Sequence, residues 1–330
     1  MDLIFALPRI SGFRMEEKEL VIIGAGAAGL TAAIFTARRK IPTTVVSIEI
    51  GGQTAIPISI SNYPGVGTIS GSALMEKIRE QAAKEGVEFV FGKVSGVGKR
   101  ASGGFEVKLS NGLEIAAKAV ILAFGKAPRT LGIEGEDAYM GNGIFTSVVH
   151  DPKFYEGRTV GVIGGGNSAF GTALECAESA EKVYIINRTE KFRGEETTLE
   201  KIRQTRNIEL LTNRLPHAFS GDGKWLREIT TKDAVTGEIA KIAIDMAFVN
   251  IGLETKNDFC ASLVRVNEHK EIVIDANCRT GVDGLFACGD ATSIPYKQTV
   301  ISAGEGAKAA IEAYKFLKGD YARTSNDWTH

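Results

Sequence analysis

An α/β fold is predicted by three segments of this chain. "ELVIIGAGAAGLTAAIFTARR" (residues 19–39) and "RTVGVIGGGNSAFGTALECA" (158–177) each run from a short apolar stretch through glycines into a small-residue helical pattern. "GLFACGDATSIPYKQTVISAGEGAKAAIEA" (284–313) opens as a strand and closes as a helix. Continuous apolar runs of this length suit parallel strands covered on both faces.

Composition narrows the function classes. The 330 residues suffice for two domains and a sizeable core. Lys plus Arg number 39 against 40 for Asp plus Glu, which argues against a general nucleic-acid or polyanion binder. No apolar run reaches membrane-spanning length, so no membrane partner is expected. The N-terminal "MDLIFALPRISGFRMEEKEL" has an apolar patch without a basic leader or a cleavage site, and is not read as a secretory signal. Met15 directly precedes the first strand, so residues 1–14 read as an extension or a start placed too early. Cys176, Cys260, Cys278 and Cys288 form neither a C-x-x-C nor a zinc pattern. No metal site is expected, and the usage points to a reducing cytoplasm.

In the first segment, residues 19–23 supply the strand and Gly24, Gly26 and Gly29 give G-x-G-x-x-G. The glycines permit a tight turn, close approach of a pyrophosphate and close helix packing; the helix N-terminus attracts the phosphates. Leu30, Ile34 and Ala37 share a helical face, and Arg38, Arg39 and Lys40 suit the helix's negative end. Glu49 lies 20 residues past Gly29, a fitting distance for an acid that binds a ribose hydroxyl.

The second segment repeats the pattern. Thr159–Ile163 form the strand, and Gly164, Gly166 and Ala169 take the small-residue positions. Ala169, Ala173 and Ala177 line a closely packed helix face. The next strand, "KVYIINRTEKFR", ends in Asn187 and Arg188, with Arg193 following and no acid. Arginine accommodates the 2′-phosphate of NADP, where an acid would favour NAD. In the third segment, Gly289–Asp290 puts a carboxylate at a strand end, suited to a ribityl hydroxyl, and the following helix can aim its N-terminus at a flavin ring.

These motifs resemble the low-molecular-weight thioredoxin reductases and their flavoprotein relatives. "GAGAAG", "GGQ" (51–53), "NYPG" (62–65), "GGGNSA" (164–169), "FRGE" (192–195) and "GLFACGDAT…YKQTVISAGEGA" run in family order over nearly the whole chain. The resemblance implies two Rossmann-like domains of three-layer ββα type, the second inserted in the first. Residues 1–125 and 251–330 would bind FAD and 126–250 would bind NAD(P)H, with hinges near 123–128 and 249–255. It implies FAD on Gly24, Gly26, Ala27, Ala28, Gly29, Glu49, Gly52, Gln53, Asn62, Val94, Gly125, Gly289, Asp290, Lys297, Gln298 and Thr299. It implies NADPH, in preference to NADH, on Gly164, Gly166, Asn167, Ser168, Ala169, Asn187, Arg188, Thr189 and Arg193. Asn187 and Thr189 depart from the family's usual histidine and second arginine. A homodimer is expected by the same resemblance.

The family's redox-active C-x-x-C lies just before the second glycine turn. Aligned on Asp151 and "FYEG", its cysteines fall on Ser147 and His150 of "GIFTSVVHDPKF" (143–154), so both thiols are missing. Neither a hydroxyl nor an imidazole can carry two electrons as a dithiol does. Ser147, His150 and Asp151 lack the G-x-S-x-G elbow of a hydrolase. Two readings of His150 stay open: a polar replacement, or a group beside the flavin that tunes it or donates a proton.

A branch with the same layout and no such cysteines is the thioredoxin-reductase-like ferredoxin–NADP reductases, and "SVVHDPKFYEGR" is similar to their pattern. The expected activity is therefore transfer of a hydride from NADPH to FAD and of electrons to a one-electron carrier such as ferredoxin, reversibly. An NAD(P)H oxidase or general acceptor reductase is an alternative; a catalytically quiet nucleotide-binding sensor or scaffold is another. Ferredoxins are usually acidic, and the Lys201–Arg203–Arg206 run is one candidate basic docking patch, a solvated helix face being the plainer reading. The last helix is expected to end near Gly319. In the tail beyond it, Tyr321 or Trp328 either covers the flavin or is frayed.

Overall fold

The computed structural model describes residues 17–148 and 151–319; the 1–14 extension, His150 and the tail carrying Tyr321 and Trp328 lie outside that range. The chain divides into two compact units. One runs through Lys126 and resumes at Thr255; the other is Ala127–Glu254.

The first unit opens with β1 (Lys18–Ala25), α1 (Ala27–Arg38), β2 (Thr43–Ile50), α2 (Gly71–Lys84) and β3 (Glu88–Phe91). Next come β4 (Val94–Lys99), β5 (Phe105–Leu109) and β6 (Glu114–Leu122). The second unit holds β7 (Ala127–Pro128), α3 (Glu136–Tyr139), β8 (Ile144–Phe145), β9 (Thr159–Ile163), α4 (Asn167–Ala177), β10 (Lys182–Ile186), α5 (Glu196–Gln204) and β11 (Ile208–Leu211). It continues with β12 (Arg214–Gly221), β13 (Leu226–Asp233), β14 (Ile239–Ala243), β15 (Met246–Val249) and β16 (Leu253–Glu254). The first unit is completed by β17 (Arg279–Val282), β18 (Leu285–Ala287) and α6 (Thr299–Lys318), which stops at Gly319.

In the first unit the sheet order is β17-β18-β6-β1-β2-β3, with β5 also pairing β6 and β4 pairing β5. The β18–β6–β1–β2–β3 pairings are parallel and the β4–β5–β6 meander is antiparallel. Successive strand residues point to opposite faces, and β1 shows what that does. Leu20 and Ile22 pack with α1, α2 and α6, whereas Val21 and Ile23 pack with Val97, Phe105, Val107 and Ile115 of the meander. An unbroken apolar strand is therefore required, because both faces are covered.

The second unit repeats the plan. Its parallel sheet is ordered β11-β10-β9-β15-β8. Val160, Val162, Val183 and Ile185 pack with α4 and α5, and Ile163, Ile186 and Val249 pack with Phe219, Leu226 and Ile229 of the β12–β14 meander. Helices, parallel sheet and meander make three layers in each unit, as the sequence predicts.

The packing of α6 on α1 depends on a missing Cβ. A Cβ on Gly306 would lie 2.1 Å from the Ala28 carbonyl oxygen, a backbone atom that cannot swing away. Gly304, two residues earlier in α6, faces open space. Gly306→Ala is expected to destabilise the protein by about 1–3 kcal/mol through overpacking, and Gly304→Ala to stabilise it by about 0.5–1 kcal/mol through helix propensity. Urea denaturation midpoints moving in opposite directions would bear this out.

Candidate functional site

Each glycine turn is forced by the strand beside it. Gly24 has φ +109°, and a Cβ there would stand 2.4 Å from the Ala123 carbonyl oxygen. Gly164 has φ +141°, and its Cβ would stand 2.3 Å from the Asn250 carbonyl oxygen. Only glycine fits either place. Gly26 and Gly166 are open on the side where a Cβ would project, which leaves room for a ligand to approach the backbone.

The helices leaving these turns have no side-chain cap. α1 starts at Gly26 and α4 at Gly166, neither with a capping hydrogen bond nor with an acid in its first turn. α6 starts at Gln298 in the same way. In α2, by contrast, Ser70 accepts from the Ala73 N–H. Uncapped N–H groups with a positive dipole end form an anion site, so both turns fit a pyrophosphate.

Around the first turn, Gly51 donates its N–H to the Ala25 oxygen at 2.8 Å, and Gly52 lies against Gly26. Glu49 is exposed near the carboxyl end of β2. Gly289, at φ +74°, packs against Ala28, which with Ala27 begins α1. Beside them is a pocket of about 390 Å³. Gln53, Asn62, Asp290, Lys297, Gln298 and Thr299 all line it, brought from three distant stretches of chain. Asn62 donates to the Gln298 side chain at 3.2 Å, and Ser302 donates to Asp290 at 2.9 Å. Val94 sits at the start of β4, and Gly125, at φ +66°, follows β6; neither lines this pocket.

Lys297 is held in the wall by an ionic cluster that the sequence did not reveal. Glu271, nearly buried, takes Lys126 at 2.7 Å, Lys297 at 3.2 Å and the Asn267 amide at 2.8 Å. Lys297 also donates to the Thr292 oxygen at 2.6 Å. Burial alone would raise the Glu271 pKa; the hydrogen bonds from Lys126, Asn267 and Lys297 outweigh it and bring the pKa down to about 2.

The second turn opens on a cleft of about 840 Å³. Gly164, Gly166, Asn167, Ser168, Asn187, Arg188 and Arg193 line it together. Ala169 is fully buried beneath, beside Gly164. Thr189 does not line the cleft; its hydroxyl donates to the Lys191 oxygen. Asn187 is buried, and its amide nitrogen donates to the oxygens of Thr189 (2.8 Å) and Lys191 (3.1 Å). Arg193 in turn donates its N–H to the Gly165 oxygen at 2.7 Å. Asn187 thus shapes the loop that carries both arginines, which stand exposed over the cleft. Arg129 also lines it, its guanidinium fixed to the Leu253 oxygen at 3.2 Å. It lies far from both glycine motifs in sequence and carried no signal of its own.

Ser147 is half-buried beside Val148, which packs on the helical side of the second sheet. Asp151 accepts from the Lys153 N–H and caps a short turn. All four cysteines are free and buried. Burial pushes the Cys176 and Cys260 thiols up to about 12, and those of Cys278 and Cys288 higher still, far from thiolate chemistry. Lys201, Arg203 and Arg206 are exposed, but Arg203 pairs with Glu196 on the same helix. Among the described residues, no His, Cys, Asp and Glu group is placed to hold a metal, and no helix is long and apolar enough to cross a membrane.

Two glycine turns opening onto uncapped helices, each in its own three-layer unit, define a protein that binds two dinucleotides. The chain belongs to the pyridine nucleotide-disulphide oxidoreductase family, which it matches over residues 18–313. It is 33% identical over 304 residues to a flavoprotein-sized component of the alkyl hydroperoxide reductase of Xanthomonas campestris pv. phaseoli, covering 92% of this chain and 57% of the relative. The chain thus spans under two thirds of that longer relative. It is 32% identical to the thioredoxin reductase of Helicobacter pylori over 91% of this chain and 99% of the relative. The crystal structure of Lactococcus lactis thioredoxin reductase superposes with a TM-score of 0.79 at 33% identity, covering 91% of this chain and 99% of that one. The protein is an FAD-dependent oxidoreductase of the thioredoxin-reductase-like kind, with FAD and NADPH as cofactors.

The Glu271 cluster has a pH signature. A folded pKa near 2 against about 4.3 unfolded gives stability that is full above pH 4.3 and lost as pH falls toward 2. Glu271→Gln is expected to cost up to about 3 kcal/mol at neutral pH. In urea titrations the gap between parent and variant should close as pH drops from 5 toward 2; a gap independent of pH would show that the carboxylate is not what holds the two lysines.

Proposed function

We propose that FAD lies on the first turn and NADPH on the second, and that electrons leave to a one-electron carrier such as ferredoxin rather than through a disulfide of this chain. The observation that carries the reading is the position ahead of the second turn. Ser147 and His150 stand there in sequence, and every cysteine of the chain is buried with a raised pKa.

Together the two cofactors supply a hydride transfer and release of the electron pair in single steps. The chain's own residues hold and orient them. Gly24 and Gly26 let the backbone reach one pyrophosphate, with the α1 N-terminus supplying positive potential and Glu49 accepting from a ribose hydroxyl. Asp290 accepts from the ribityl chain, and the α6 N-terminus with Lys297 places positive potential in the ring-side wall. Gly164 and Gly166 do for NADPH what Gly24 and Gly26 do for FAD. Arg188 and Arg193 meet the 2′-phosphate. Hydride transfer asks for orientation more than for an acid or base, and no titratable group needs to be assigned to that step.

Electron acceptors separate this reading from its rivals. Purified protein should carry one FAD per chain. After anaerobic reduction by NADPH, the flavin should be reoxidised rapidly by ferredoxin and only slowly by thioredoxin. Fast turnover with oxygen or a quinone instead would favour an oxidase or general acceptor reductase, and no reduction by NADPH would favour a sensor. Arg188→Ala should weaken NADPH by roughly one to two decades, the worth of a charge-assisted hydrogen bond, and leave NADH nearly unchanged. Equal weakening of both nucleotides would show that Arg188 does not read the phosphate.

A further inference from the structure

The two units match position by position around their glycine turns. The residue after β6 is Ala123, and the residue after β15 is Asn250. Each donates its N–H to the last strand residue before the glycine turn, Ala123 to the Ile23 oxygen and Asn250 to the Ile163 oxygen, both at 2.8 Å. Each turns its own carbonyl against the first glycine. Each is followed by an apolar residue and a left-handed glycine, Gly125 at φ +66° and Gly252 at φ +98°. The two positions are structural equivalents, and alanine satisfies the backbone in the first unit. The amide of Asn250 is therefore surplus to the fold.

It is also unpaired. Among the described residues three buried side-chain atoms have no hydrogen-bond partner: Arg214 Nη1, Thr255 Oγ1 and Asn250 Oδ1. Of these residues only Asn250 lines the cleft that opens from the second turn. An unpaired buried amide atom weakens the folded protein unless a ligand completes it.

The sheet order says which part of a ligand lies there. Arg188 follows β10, the glycine turn follows β9 and Asn250 follows β15, in the spatial order β10-β9-β15. Strands stand roughly 4.8 Å apart, so Asn250 is on the far side of the turn from Arg188. A dinucleotide lies across the strand ends with its phosphate-bearing ribose toward the β10 arginine. Its other half then reaches the β15 side.

We propose that Asn250 is a ligand-contacting residue whose side-chain amide hydrogen-bonds to the nicotinamide–ribose half of the pyridine nucleotide. A ribose hydroxyl both donates and accepts, so it satisfies the amide in either orientation; the carboxamide offers the same pair of groups. The proposal rests on the placement of NADPH on the second turn, and its test separates the two.

The test uses FAD-loaded protein and two oxidised probes: NADP⁺, and adenosine 2′,5′-bisphosphate, which lacks the nicotinamide half. Asn250→Ala should weaken NADP⁺ about tenfold, the worth of one hydrogen bond to a buried group. It should leave the bisphosphate within about twofold by the same reckoning. The melting temperature without nucleotide should stay the same or rise, while the increment added by NADP⁺ should fall. Unchanged NADP⁺ binding overturns the proposal, as does equal weakening of both probes, which would mark a general effect on the cleft. If Arg188→Ala and Gly166→Asp leave both probes bound as in the parent, the nucleotide is not on the second turn, and the placement and the proposal fall together.

Discussion

Both sites depend on the collision between a glycine and the carbonyl of the neighbouring strand. At Gly24 the obstacle is the Ala123 oxygen and at Gly164 the Asn250 oxygen, at 2.4 and 2.3 Å from where a Cβ would be. With no Cβ, the chain turns sharply at the strand end and enters a helix immediately. Gly29 presses the same point, since its Cβ would fall 1.9 Å from the Gly24 oxygen. The helix start is thereby held over the strand ends with its N–H groups facing outward. The lack of a capping side chain on α1, α4 and α6 belongs with this geometry, because a serine in the place of Gly26 would satisfy the donors that a phosphate needs.

Much of this was legible in the sequence because it is local. A turn, its strand and its helix lie within some twenty residues, so spacing and residue type report them directly. The three-layer plan was legible through unbroken apolar strands such as β1 and β9, which only make sense with both faces covered. What escaped depends on residues that meet from far apart. Lys126 and Glu271 are 145 positions apart, yet form the centre of the charge cluster. Arg129 reaches the second cleft from the segment before α3, tethered to Leu253. Asn187 was read as a departure from a nucleotide-binding pattern. In the structure it also builds the loop that presents Arg188 and Arg193, a role that depends on carbonyls up to four residues away.

The missing dithiol changes what the rest of the molecule has to do. In a chain whose electrons pass through a disulfide, a reactive thiolate must lie within reach of the ring. Here the cysteines are packing residues. Cys278 donates to the Glu305 carboxylate at 3.0 Å inside the α1–α6 core, and Cys288 lies beside Gly289 with no exposure. Their environments disfavour the thiolate, so the chemistry left to the chain is that of holding two cofactors. The retained features agree with such a role: both turns, the Asn62–Gln298 and Asp290–Ser302 pairs, and a lysine fixed in the ring-side wall.

A fixed lysine differs from a mobile one in what it does to a bound ring. A free ammonium on the surface is screened by water and loses side-chain entropy by staying in place. Lys297 is held by Glu271 and by the Thr292 oxygen, and Lys126 is held by the same carboxylate. Two cations sharing one anion leave a net positive charge in a wall with little solvent, where charge acts over longer range. Such a wall favours the form of a bound group that carries more negative charge, and it does so without any part moving at the moment of reaction. With no disulfide in this chain to draw electrons away from the ring, the electrostatics of that wall become the chain's main means of setting how readily the ring takes them up and gives them back.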